Sequence, residues 1–311
     1  MTGQTLRAPQ TMRPGDWAAL ALLSLLWGGS FMFNGIAVRD LPPFTIVAGR
    51  VAIAAAILVT ILRLTGHRLP ADVRTWRDFM VLAFLGNVVP FSLITWGQGH
   101  IPSGLAAILN ATTPLFTVLL LRLTGAERVG LGRAGGLVLG MVGVAVLMGP
   151  KALDGATFGL LGAAAILLAS SSYAVSGLWA RRFKDTPVLV TAACSLTASS
   201  VQAVPLALVV DRPWTLDPGA DALLAVLALA VFSSAVAYML FYRIMGRAGP
   251  ANASLVTFLV PATAILLGAW VLGERLPWTA FAGLGLILLS LAAIDGRVFK
   301  HLARPRLAAA E

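Results

Sequence analysis

The length of its uncharged runs restricts this chain more than any other feature. Residues 17–38, 79–99, 101–121, 134–150, 155–180, 186–210, 222–242, 248–273 and 276–294 contain no charged side chain, and a tenth run, Leu41–Leu62, is interrupted only by Arg50. A helix that crosses a bilayer needs about 20 mostly apolar residues, within a range of roughly 17–25. In hydrocarbon the backbone must bond to itself, and the alternating apolar and polar pattern of a barrel strand is absent, so each run reads as a helix. The sequence therefore predicts an all-α membrane protein of ten transmembrane helices. Composition agrees: 58% of residues are apolar and 12% charged, against about 25% charged in soluble domains. Those values exclude a water-soluble enzyme, a secreted scaffold and a disordered chain. A single cysteine, Cys194, excludes a disulfide framework and a cysteine-based metal site. The net charge of +10 would point to nucleic acid in a soluble protein. Here most basic residues flank the apolar runs, so no nucleic-acid partner is expected; the lipid bilayer is.

Short connections separate the runs, marked by Pro42-Pro43, Gly99-His100-Ile101-Pro102, Arg212-Pro213-Trp214, Gly249-Pro250 and Leu276-Pro277-Trp278. These are turn and helix-start signals, and none leaves room for an extramembrane domain. The first run is too long for a signal-peptide core and is read as an uncleaved span. With the N-terminus placed in the cytoplasm, eighteen of the 23 Lys and Arg residues fall on the inside and four outside, Arg50 being the remainder. Basic residues set orientation in this way whereas acidic ones do not; the latter divide seven to six. The expectation is a multi-pass protein of the inner (plasma) membrane with both termini, residues 1–16 and 296–311, in the cytoplasm.

The two halves of the chain resemble each other. Ala126-Glu127-Arg128 recurs as Gly273-Glu274-Arg275, Pro114 as Pro261 and Gly136 as Gly283, in each case 147 residues apart. Each half, 17–150 and 151–295, then holds five spans. Because five is odd, the second copy enters the membrane upside down relative to the first. Inverted repeats of this kind build many transporters, with the substrate site near the midplane between the halves.

Span one holds Leu26-Trp27-Gly28-Gly29-Ser30-Phe31, span two Gly49-Arg50, and each half a run from proline to a Gly-Glu-type helix end, Pro114 to Gly125-Ala126-Glu127 and Pro261 to Gly273-Glu274, followed by a glycine-rich span. In these residues the chain resembles the EamA-type members of the drug/metabolite transporter superfamily. The likeness covers roughly residues 17–295. The resemblance implies alternating-access transport, often export, of small organic metabolites such as amino acids; it does not imply which one, nor the energy coupling.

Polar residues inside spans are expensive and are therefore candidates for a pathway. Trp27, Ser30 and Asn34 share one helical stripe in span one, and Tyr173 and Ser176 occupy equivalent positions in span six. Asn87, Phe91, Ile94 and Gln98 share a face in span three; their counterparts 147 residues on are Ser234, Tyr238, Phe241 and Met245, with Tyr242 beside that stripe. Rings interleaved with hydrogen-bonding groups suit a small-molecule site. The competing reading is interhelical packing, where such groups contribute about 0.6 kcal/mol on average. Pro114 and Pro261 each free the carbonyl four residues earlier, that of Asn110 and of Thr257 respectively. Either spans four and nine bend around a cavity and expose these acceptors, or Thr113 or a neighbouring helix satisfies the kink locally. Arg50, about 10 Å into its helix at roughly 1.5 Å per residue, either binds an anionic group through its planar fork or snorkels to the outer interface. Glu127-Arg128 and Glu274-Arg275 read as headgroup anchors, and Gly132, Gly136 and Gly140 as a packing ridge.

No Asp or Glu lies in the middle of a span, and His67, His100 and His301 fall in connections or the tail. A buried proton relay thus has no candidate, which favours facilitated diffusion or exchange. A hydrolase would need a nucleophile with a base in reach and a metalloenzyme clustered ligands; neither pattern exists. The expectation is a non-enzymatic transporter of an amino acid or related compound, without cofactor or metal; the alternatives are a channel-like pore and a multidrug or toxic-compound exporter. Oligomeric state is not encoded legibly.

Overall fold

The computed structural model describes residues 12–125, 131–148, 157–248, 250–253 and 255–295. Glu127, Arg128, His301 and most of both tails lie outside the described residues. Those described form helices joined by short turns, with no strand among them. In chain order the helices are α1 (Pro14–Ala37), α2 (Pro43–Leu64), α3 (Val73–Gln98), α4 (Ser103–Leu123), α5 (Leu131–Met148), α6 (Thr157–Trp179) and α7 (Val188–Val210). Next comes α8, which runs from Ala220–Ala230 through a π segment, Val231–Val236, into Ala237–Ala248; α9 (Val256–Val271) and α10 (Trp278–Asp295) complete the set. Among the described residues, seven of these are long and apolar enough to cross a membrane, and the described apolar parts of α5, α9 and α10, namely Gly135–Leu147, Val256–Val271 and Trp278–Ala293, are shorter.

The punctuation in the sequence sets the ends. Pro43 opens α2, and Pro102 caps α4, each with its φ already suited to the first turn. Gly125 and Gly273 follow the last residues of α4 and α9 at φ +67°, a left-handed stop that a side chain would strain. Charge-free length misjudged α3. That helix begins at Val73, six residues before the uncharged run, and carries Arg74, Arg77 and Asp78 in its first turns. Asp72 caps it by accepting from the Thr75 N–H at 2.7 Å, a bond that holds its carboxyl below the usual carboxylate range. Charged first turns are tolerated where a helix emerges from the hydrocarbon.

Helix packing repeats itself. The contacting pairs include α2 with α7, α5 with α10, α4 with α9, α1 with α9 and with α8, α6 with α4 and with α3, α2 with α8, and α3 with α7. Exchanging each helix for the one five places along converts each of these pairs into itself or another of them, as expected of two copies of one fold, although α1 packs more closely on α4 than α6 does on α9. Small residues make the seams, since close backbone approach is what holds helices together in lipid. A Cβ on Gly143 would lie 3.1 Å from the Gly283 carbonyl, and one on Gly283 2.7 Å from that of Gly143. Ser290 donates to the Gly136 carbonyl across the same α5–α10 seam at 2.5 Å. On the outside of the bundle Val138, Met141, Val209, Leu266 and Leu289 are exposed apolar side chains, and Trp17, Trp214 and Trp278 sit exposed at helix ends, as in an interfacial aromatic belt.

One end of the bundle is tied by carboxylates that cap helices of the other half. Asp211 accepts from the Thr45 N–H and Oγ1 at 2.7 and 3.0 Å, and Asp40 from the Gly219 N–H at 3.1 Å. Glu274 accepts from the Ser103 N–H, the Ser103 Oγ and the Gly104 N–H at 2.7, 2.9 and 3.1 Å. Glu274 is thus a cap for α4 in addition to any place among headgroups, a partnership that helix-end position alone could not reveal.

Candidate functional site

Between the halves lies a cavity of about 370 Å³, walled by α1, α2, α3, α4, α6, α8 and α9. Trp27, Ser30, Asn34, Arg50, Phe91, Gln98, Asn110, Tyr173, Tyr238, Thr257 and Pro261 all line it. The volume falls within the range of small-molecule pockets, roughly 300–1,000 Å³.

Local helix irregularity aims several of these groups. The segments Phe84–Val88 and Val231–Val236 are both π-helical, and their first residues stand 147 apart, so the two copies share the distortion. A π segment shifts the side chains after it relative to an ideal helix and often marks a functional position. From the first, Asn87 donates through Nδ2 to Ser195 and Ser199 Oγ, both at 2.9 Å, and Tyr238 donates to Asn87 Oδ1 at 3.4 Å. From the second, Ser234 Oγ accepts from Arg50 Nε at 2.9 Å. Asn87 and Ser234 therefore stand behind the wall and position the groups in it.

Arg50 points inward. Its guanidinium lies 3.9 Å from the Phe91 ring centroid, in addition to the Ser234 bond, and it lines the cavity. The side chain thus faces the cavity and does not snorkel to the outer interface. The preceding residue makes the approach possible: a Cβ on Gly49 would come within 2.8 Å of Val226 on α8. Opposite, Trp27 and Phe241 rings stand 5.3 Å apart at 40°, and Ser30 bonds back to the Trp27 carbonyl at 2.6 Å.

Toward the carboxylate-capped end, the cavity wall contains a buried polar knot. Asn34 donates to Thr95 Oγ1 at 3.1 Å and to Gln98 Oε1 at 2.9 Å, while Gln98 Nε2 donates to the Phe31 carbonyl at 2.8 Å. Asn34 and Gln98 thus spend much of their hydrogen-bonding capacity on each other. Asn110 differs, since its Oδ1 is buried with no partner among the described residues.

The proline pair departs from its expected symmetry. Helix α4 breaks at Ala111-Thr112, after which Pro114 sits in the first turn of Thr113–Leu123. The Asn110 carbonyl is taken locally by Thr113 Oγ1 at 2.8 Å, so an exposed backbone acceptor at that site is replaced by the local alternative. Pro261 instead lies inside the continuous helix Val256–Val271. Ser176 packs against α3, where a Cβ on Gly86 would meet its Oγ at 2.5 Å, and is not part of the wall. Pro114 is likewise next to the wall, through Thr113, and not in it. The Tyr242 side chain lies outside the described residues. The wall also contains Phe31, Ala107, Ala111, Thr113 and Val260, which polar stripes could not flag. Helical spacing from Trp27 and Asn34 to Phe31, or from Thr257 to Val260, is the signal that would have found two of them.

Comparison with known proteins fits this geometry. The EamA-like transporter family matches residues 15–149 and again 160–294. The uncharacterised inner membrane transporter YedA of Escherichia coli K12 is 28% identical over 293 residues, covering 94% of each chain. An uncharacterised transporter of Archaeoglobus fulgidus is 25% identical, over 88% of this chain and 96% of its own. A WAT1-related chloroplastic protein of Arabidopsis thaliana, At3g02690, is 23% identical, over 90% and 69% respectively. A solved crystal structure superposes with a TM-score of 0.65 at 19% identity, covering 91% of this chain and 98% of that one, which supports the fold. Two family matches in one chain, together spanning nearly all of it, account for the mirrored helix pairs and the shared wall: the protein belongs to the EamA-like transporter family and is a multi-pass membrane transporter.

Proposed function

We propose that this transporter moves a small organic metabolite, an amino acid or related compound, by alternating access and in the direction of export. In this reading ten helices span the inner membrane as two inverted five-helix repeats, residues 17–150 and 151–295. Both cytoplasmic tails, 1–16 and 296–311, follow from the bias of basic residues toward one side. The observation that carries the reading is a single cavity to which both halves contribute, with Trp27, Asn34, Phe91 and Asn110 from one and Tyr173, Tyr238, Thr257 and Pro261 from the other. Rocking one repeat against the other would expose that cavity to each side in turn. The capped end, where Asp40, Asp211 and Glu274 each bond across the two halves, supplies the contacts such a motion has to break on that side.

Counterflow in proteoliposomes tests this. The expected result is saturable exchange of labelled substrate against the same unlabelled compound, weakened by Trp27→Ala. Flux that rises linearly with concentration and shows no counterflow would replace the transporter by a pore. Equal transport of many unrelated cationic drugs would replace the metabolite by a multidrug reading.

A further inference from the structure

Charge balance inside the cavity identifies the kind of metabolite. Of the residues that line it, Arg50 is the sole ionisable group of the acid or base type other than the two tyrosines; no Asp or Glu is among them. The described ion pairs, Arg182 with Asp78 and Arg247 with Asp16, lie elsewhere, so no described carboxylate neutralises Arg50. Its protein partners are neutral: a hydroxyl at Nε and the face of Phe91. A cation away from water is costly unless an anion answers it, and a guanidinium with one edge on Ser234 keeps its remaining N–H donors for a planar, two-oxygen acceptor.

The repeat sharpens the point. The position 147 residues beyond Arg50 is Thr197, whose hydroxyl bonds to the Ala193 carbonyl of its own helix at 2.7 Å and does not reach the cavity. One half supplies a cation and the other nothing to offset it. Among the described residues, the cavity between the copies thus holds one positive side chain and no carboxylate to offset it.

We propose that the substrate is a monocarboxylate with net negative charge and an apolar or aromatic body, its carboxylate received by Arg50. The inference rests on the transport reading and narrows it: of amino acids and their relatives, those whose amine is acylated or missing fit, because a free ammonium would bring a second cation into a wall without an acid. The apolar body lies against Trp27, Phe91 and Phe241. Asn110 Oδ1, an acceptor without a partner, suits a neutral N–H such as that of an N-acyl amide.

The test compares four ligands of one shape with the purified full-length protein: N-acetylphenylalanine, phenylalanine, N-acetylphenylalanine amide and phenylalanine amide, which carry an anion, a zwitterion, no charge and a cation. Thermal shift and inhibition of counterflow are measured for each. The expected result is that the anion binds at least tenfold tighter than the other three. Arg50→Gln should abolish that preference, and Arg50→Lys should keep part of it through charge alone. A zwitterion or cation equal to the anion overturns the proposal, as does an unchanged ranking in a folded Arg50→Gln or a lack of binding by all four. The ranking in the unmodified protein decides even if Arg50→Gln fails to fold. Saturable counterflow of a neutral solute that is indifferent to Arg50 would leave the transporter standing and remove only the anion.

Discussion

Glu274 offers the sharpest perturbation. Its carboxylate closes three hydrogen bonds at the start of α4, to the Ser103 N–H and Oγ and the Gly104 N–H, at 2.7, 2.9 and 3.1 Å. Glu274→Ala removes all three acceptors at once. Bonds to charged groups contribute about 1.5–3 kcal/mol each in mutational series, but water reaches this loop and replaces part of that. Loss of a helix cap costs about 0.5–2 kcal/mol, and a negative charge at a helix N-terminus adds about 0.3–1 kcal/mol. A net local cost near 2 kcal/mol is the reasonable sum, which is roughly a 30-fold change in the opening equilibrium. Hydrogen exchange of the 99–110 segment reads this directly, since two of the protected amides are the donors themselves. Glu274→Gln keeps one carbonyl oxygen and should lose about half, near 1 kcal/mol or roughly fivefold. Exchange within twofold of the unmodified protein in Glu274→Ala would refute the capping argument, whatever the variant does to transport.

Other changes have equally direct readouts. Gly28→Ala sets a Cβ against Thr263 Oγ1 and within 2.9 Å of the Ala264 backbone nitrogen; overpacking should cost about 1–3 kcal/mol, seen as a lower Tm in detergent, and an unchanged Tm would show that α1 and α9 separate freely. Trp27→Ala removes the ring pair with Phe241, worth about 0.5–1.5 kcal/mol, so the half-saturation concentration in counterflow should rise roughly three- to tenfold with the maximal rate retained. Pro261→Ala restores a helix-interior N–H in α9 and should raise Tm; a counterflow rate equal to that of the unmodified protein would remove any hinge role for this proline.

Much of the fold was legible because the bilayer leaves few choices. Each uncharged run carries helix, and proline and glycine positions set several ends, as Pro43, Pro102, Gly125 and Gly273 illustrate. The exceptions share a physical cause. Charge-free length missed the first six residues of α3, since charged side chains at a helix mouth face headgroups and cost little. The candidate site was legible in part through rings and polar groups at helical spacing, in that eleven of the sixteen candidates line the cavity. Apolar wall residues such as Ala107 and Ala111 were not, because any lipid-facing side chain looks the same in sequence. Nor could spacing reveal that Ser176 faces Gly86, or that Asn34 and Gln98 bond each other across α1 and α3. Those facts depend on which helix faces which.

That dependence also explains why the two halves, built alike, do not act alike. The π segments at Phe84–Val88 and Val231–Val236 fall at equivalent positions, and each sends a polar side chain to the second helix of the opposite half: Asn87 to α7, Ser234 to α2. In an exact duplicate both bonds would be the same. Here Asn87 meets two serines, and Ser234 meets Arg50. The same backbone device thus serves a neutral partner in one half and a charged one in the other. The halves share a backbone plan, and one of their departures from each other, arginine at position 50 against Thr197 in the second copy, places the positive charge in the shared cavity.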